Sequence, residues 1–300
     1  MKAIVPEAPS VDLNSYFKPL VWRNIGPTRG GRSVASSGVK GNPLVYYMGT
    51  TGGGVWKTNN AGVTYSPIFE NEGSSSIGCI TIDPTNSNTI WVGTGENNNQ
   101  RSVAYGDGVY KSEDGGKSWK NVGLKNSEHI GRIAIDPKNS DVVYVAAYGP
   151  VWNSGGERGI YKTTDGGKTW NPIQHNLPER GTAYTIAEDH VNANLLFVGT
   201  EFGLYFSVDG GQEWVPLKNG LPTIAIKDMT IQKRENDLVV ATHGRSFWIL
   251  DDITTLYQLA DVANKNYYLY KPRTAYRTKG GFSDDVNAQE GTNVPNGVML

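Results

Sequence analysis

The sequence has one cysteine, no excess of charge of either sign, no long apolar run and little that favours helix, and each shortage removes a class of protein. Cys79 alone cannot form an internal disulfide, so a disulfide-stapled scaffold is excluded. Lys and Arg number 28 against 29 Asp and Glu, and the net charge of −1 supplies no global field to recruit nucleic acid or an anionic membrane. No apolar stretch approaches the ~20 residues needed to span a bilayer. The opening MKAIVPEAPSVDLNSYF has neither the basic start nor the apolar run of a signal peptide. His129, His175, His190 and His243 show no metal-ligand spacing. The segment GTGENNN lacks the third glycine and following helix of a nucleotide loop, and the polar run from Glu96 to Gly108 fits no calcium-loop spacing. No metal and no cofactor are therefore expected.

Glycine and aromatics are plentiful. With 37 Gly, 16 Tyr and 8 Trp in 300 residues, the composition suits an all-β protein in which glycines make tight turns and large aromatics fill the space between sheets. An octamer recurs in four variants, TNNAGVTY, SEDGGKSW, TTDGGKTW and SVDGGQEW, beginning at residues 58, 112, 163 and 207. That spacing is one four-stranded blade of a β-propeller, ~40–50 residues. Around each octamer run an alternating strand A, an Asp-Pro or similar turn, strand B (TIWVGT, LLFVGT), a variable loop, strand C (GVWKT, GVYKS, GIYKT, GLYFS), the octamer turn and strand D. A fifth unit, ending in RSFWILDD, has no octamer and no strand D. Trp22-Arg23-Asn24-Ile25 lines up with the strands D that begin at Tyr65, Trp119, Trp170 and Trp214, so the N-terminal segment is expected to complete the fifth blade. The expected organisation is a leader over 1–19, a five-bladed propeller over 20–257, and a strand (266–276) and tail over 258–300.

The octamer resembles the Asp-box of sialidases, sortilin-type propellers and bacterial BNR-repeat proteins. Asp114, Asp165, Asp209 and Asn60 are expected to bond turn amides, and Trp119, Trp170 and Trp214 to pack between sheets. An acid repeated in every blade reads as structural, because catalysis needs one unique site. The segments WRNIGPTRGGRS, MGTTGGGVWKT, WVGTGENN and GDGVYKS resemble the opening blades of a bacterial BNR, sortilin N-terminal-like propeller family, often labelled glycosyl hydrolase. LLFVGTEFGLYFSVDGGQEW and ATHGRSFWILDDI resemble its closing blades. Family members are usually much longer, with more blades between these halves, and carry export signals. The resemblance therefore implies a secreted or periplasmic setting.

Propeller geometry puts the D-to-A and B-to-C loops on one face. Glu70, Glu72, Glu128, His129, Glu179 and Arg180 fall there, as do Asp107, Trp152 and Glu157. Among the residues of that face, Arg29, Arg32, Glu96, Arg101, Arg132, Arg158, Glu201, His243 and Arg245 are the binding candidates, Arg32 and Arg132 at matching positions where the innermost strand starts. No catalytic residue is singled out. The expectation is a monomeric, non-catalytic binding or scaffold propeller recognising a protein, peptide or glycan on this face. A sialidase-like glycoside hydrolase acting there is the alternative, and mutual pairing of the arginines and glutamates is the other use for them.

Overall fold

The structure is a computed structural model that describes residues 23, 25, 31–98, 102–262 and 265–274. It is an all-β five-bladed propeller. Blade 1 holds β1 (Ser33–Val39), β2 (Asn42–Thr50), β3 (Val55–Thr58) and β4 (Ser66–Pro67); blade 2 holds β5 (Ile77–Ile82), β6 (Ile90–Thr94), β7 (Val109–Ser112) and β8 (Lys120–Gly123). Blade 3 holds β9 (Ile130–Ile135), β10 (Val143–Ala147), β11 (Gly159–Thr163) and β12 (Asn171–Pro172); blade 4 holds β13 (Ala183–Glu188), β14 (Leu196–Thr200), β15 (Gly203–Ser207) and β16 (Val215–Pro216). Blade 5 has β17 (Ile226–Gln232), β18 (Asp237–Thr242) and β19 (Phe247–Leu250). Every blade is an antiparallel meander, and β1, β5, β9, β13 and β17 pack side by side in that order around the axis.

The octamers are C-to-D turns. In the third, Asp165 Oδ1 accepts from the amides of Lys168 and Thr169 at 2.9 Å, and Oδ2 accepts from the Thr169 hydroxyl at 2.7 Å. These donors hold the Asp165 carboxyl far below the usual range, the Thr169 and Thr163 hydroxyls foremost. Asp114 and Asp209 repeat the arrangement, and Asn60 does so with its amide oxygen. Each following tryptophan then reaches back one blade. Trp119 Nε1 donates to the Ile68 carbonyl (2.7 Å), Trp170 to Val122 (2.8 Å) and Trp214 to Ile173 (2.7 Å). Lysines tie the same face in the opposite direction: Lys57 lies over the Tyr47 ring and donates to the Gly115 carbonyl of the next blade at 3.0 Å.

One expectation fails. Residues 266–274 form no strand: Gln258 brackets the Lys271 backbone at 3.0 and 2.9 Å, and the Arg273 side chain donates to Glu235. Of the expected closing strand, Trp22 and Asn24 lie outside the described residues, and Arg23 and Ile25 are assigned to no strand. Among the described residues β19 pairs only with β18, and its four apolar residues are exposed.

Close approach at the axis dictates residue size. A Cβ on Gly78 would overlap the Ile130 carbonyl oxygen, and one on Gly131 the Tyr184 carbonyl oxygen and the Tyr148 ring. Backbone cannot yield as a side-chain tip can, so Gly78→Ala is expected to cost about 2–3 kcal/mol in urea unfolding, and Gly52→Ala, in open space and without a positive φ, serves as the comparison.

On the opposite side of the ring, Glu188 has both carboxylate oxygens buried without a hydrogen-bond partner among the described residues. Burial first, then the Asp136 charge, push it up to about 8, against the pull of Lys162. A folded pKa above the unfolded value makes stability greatest below about 4.5 and diminishes it as pH rises toward 8. The expected slope is below about 1.4 kcal/mol per pH unit. Thermal melts between those pH values should show the decline in the parent and its loss in Glu188→Gln.

Candidate functional site

Every innermost strand carries a β-bulge near its start, where two of its residues face one on the next strand. The extra residue is Val34, Gly78, Gly131, Tyr184 or Lys227 in blades 1 to 5. The residue after it is Ala35, Cys79, Arg132, Thr185 or Asp228. These two rows surround the loop-face mouth of the axis, where a cavity of about 480 Å³ is lined by residues that include Asn97, Arg132, Tyr148, Lys227, Asp228 and His243.

The register corrects the pairing of Arg32 with Arg132. Arg32 precedes the first paired residue of β1, whereas Arg132 follows the bulge of β9, so the similar letters GRSV and GRIA sit at different heights in their blades. Arg32 pairs with Glu96 at 2.6 Å across blades 1 and 2, and Glu96 is 2% exposed. Arg132 crosses the axis to Asp228, 3.5 Å away. His129 is buried next to Glu96, with Tyr105 packed over it at 5.7 Å. Burial depresses its pKa, against the pull of Glu96.

Arg158 is occupied by structure: it donates to the Thr182 hydroxyl at 3.0 Å and to the Pro150 and Asn153 carbonyls, clasping blade 3 to blade 4. Glu201 stands close enough to bear on the charges of Tyr184 and Lys227. His243 lines the axial cavity, while Arg245 is exposed and accepts the Trp248 indole on its carbonyl at 2.8 Å. Arg29 and Arg101 lie outside the described residues. Among the described residues no group of three or more His, Cys, Asp or Glu is placed to hold a metal ion.

A second grouping lies between blades 1 and 2. Asp107 accepts from the Tyr110 hydroxyl at 2.6 Å, and that hydroxyl accepts from the Gly73 amide at 3.2 Å. A Cβ at Gly73 would overlap the Asp107 carboxylate, so the glycine lets the Glu72 loop close over it. Ser74 fastens that loop to the Tyr105 carbonyl at 2.9 Å, and the Tyr105 side chain stands 58% exposed beside it. Burial, followed by the Asp107 charge, raises the Glu72 pKa. A carboxyl with raised proton affinity thus stands beside a second carboxyl, with an aromatic surface adjacent. Sequence reasoning put Glu72 and Asp107 on this face without pairing them, because they lie 35 residues apart on two loops. It missed Lys227 and Tyr105 outright. Aligning the innermost strands on their bulge would have shown Lys227.

Together the repeated meander and the loop-face cavity define an Asp-box-type propeller. The Sortilin-Vps10 model (sortilin, neurotensin receptor 3) matches residues 53–178 and 107–267, and the chain belongs to that family. Curated relatives include a probable oligoxyloglucan-reducing end-specific xyloglucanase of Neosartorya fischeri, 29% identical over 139 residues, which are 42% of this chain and 15% of the relative. A xyloglucanase of Hypocrea jecorina is 28% identical over 51% of this chain and 19% of its own length. The chain thus spans less than a fifth of those relatives. Among solved structures, an ancestral GH74 enzyme aligns at TM-score 0.60 with 22% identity over 74% of this chain and 29% of its own. The extracellular domain of a putative one component system from B. thetaiotaomicron aligns at 0.55 with 14% identity, over 78% and 28% of the two chains. The relatives named as xyloglucanases overturn the non-catalytic binding or scaffold expectation; the glycoside hydrolase alternative fits them better. The expectation failed because its weight rested on fold and repeated turns, which are silent about chemistry.

Glu96 is an anchor on this evidence. Arg32→Ala strands the buried Glu96 carboxylate without its cation and is expected to lower stability by about 1–3 kcal/mol, read by urea denaturation, whereas Arg32→Ala combined with Glu96→Gln should recover part of the loss because no unpaired buried charge remains.

Proposed function

We propose that this chain is a glycoside hydrolase that acts on a xyloglucan-type polysaccharide at the Glu72–Asp107 corner of the loop face, as a monomer in a secreted or periplasmic setting. The observation that carries the reading is the pair of neighbouring carboxyl groups in unlike environments. Glycosidases need one carboxyl that gives a proton and one that stays charged. Glu72, favoured in its protonated form by burial and the Asp107 charge, protonates the departing glycosidic oxygen. Asp107, held by the Tyr110 hydroxyl and by Thr94, is the second carboxyl and takes a proton from the water that attacks the anomeric carbon. Tyr105 offers its ring face to a sugar. The names of the xyloglucanase relatives supply the substrate class.

Reducing-end release from xyloglucan oligosaccharides tests this. Glu72→Gln and Asp107→Asn should each lower kcat/KM by about 10²–10⁴, Glu72→Gln should also remove the alkaline limb of the pH profile, and Tyr105→Ala should raise KM. Unchanged turnover in both carboxyl variants, or no turnover by the folded parent, would sink the proposal.

A further inference from the structure

Of the charges around the axial mouth, Lys227 has no ion-pair partner among the described residues. Glu96 is taken by Arg32. Asp228 Oδ1 accepts from the Met229 amide at 2.9 Å and the Thr185 hydroxyl at 3.4 Å, besides facing Arg132. Lys227 has no carboxylate within ion-pair distance among the described residues. Its ammonium stands 3.5 Å above the Tyr184 ring, whose face attracts a cation yet leaves its charge uncancelled. Burial lowers the Lys227 pKa, with the more distant Glu201 opposing, so the group is partly stripped of water and gains from an anionic partner. Arg132, on the same wall, is 41% exposed and keeps donors free for a second acceptor.

We propose that the axial cavity is an anion site for a uronic acid sugar, whose carboxylate sits between Lys227 and Arg132. The cavity volume of about 480 Å³ falls among small-ligand sites. Ser36, Asn97 and Asn98 line it with hydroxyl and amide groups that match sugar hydroxyls. These hydroxyl and amide groups beside the two cations are why the carboxylate is assigned to a sugar. The site is separate from the Glu72–Asp107 corner and does not require it.

Calorimetric titration of the whole chain with digalacturonate, neutral galactobiose and an N-acetylated dipeptide with a free C-terminal carboxylate tests the assignment. Digalacturonate should bind at least about tenfold tighter than either competitor, about 1.4 kcal/mol, and less tightly as salt is raised. Lys227→Met should lose about tenfold or more while Lys227→Arg retains binding, both variants being checked for a parent-like melt. Equal binding of galactobiose, equal binding of the dipeptide, no binding, or indifference to Lys227→Met would each overturn it. Binding that survives in Glu72→Gln, where turnover is lost, separates this site from the proposed catalytic corner. Cleavage of xyloglucan without digalacturonate binding would defeat this inference alone.

Discussion

Five innermost strands meet around one axis, and their backbones approach so closely that two of them admit no side chain at the point of contact. Gly78 faces the Ile130 carbonyl and Gly131 the Tyr184 carbonyl, positions where a methyl group would overlap main-chain oxygen. The bulge follows from the same crowding, because the extra residue lets each strand bend away from the axis while keeping its ladder to the next strand. Once bulged, the strand turns two successive side chains toward the mouth. The cavity, its cations and its carboxylate are consequences of that bend.

The outer face is governed by different forces. There the blades are joined by directional bonds: an indole N–H to the carbonyl of the preceding blade, and a lysine, laid over an aromatic ring, to the turn of the following one. Both bonds span blades, so neither exists until two consecutive repeats have folded, which is how a chain of similar units acquires cooperativity. Blade 5 has no octamer, and among the described residues no tryptophan makes this bond to it. Its outer strand, Phe247 to Leu250, remains exposed.

The repeat was legible because a turn acid, a glycine and an aromatic must recur at each C-to-D turn, leaving four copies of one pattern. Strand order followed from it. What escaped the sequence was register: a single bulged residue changes which side chains reach the axis, and no local propensity marks it. Arg32 and Arg132 looked equivalent by their neighbours, and the bulge separated them. Residues 266–274 have strand composition, yet they form no strand and the Gln258 side chain brackets the Lys271 backbone. The carboxyl pair was hidden for another reason, since Glu72 and Asp107 belong to loops of different blades.

Repetition and uniqueness divide the acidic residues of this fold by role. Asp114, Asp165 and Asp209 are surrounded by amide and hydroxyl donors that the turn itself supplies, which lowers their pKa and leaves them no tendency to hold a proton. Glu72 is partly buried and has Asp107 as a neighbour of like charge, so its proton affinity rises. The bulge positions obey the same division. Where strands approach most closely the residue must be glycine, as at Gly78 and Gly131; where they do not, Tyr184 and Lys227 occupy the same backbone position. In blade 3, where the bulge residue is glycine, the group that reaches the mouth is Arg132 from the next position, whereas blade 5 presents Lys227 from the bulge itself.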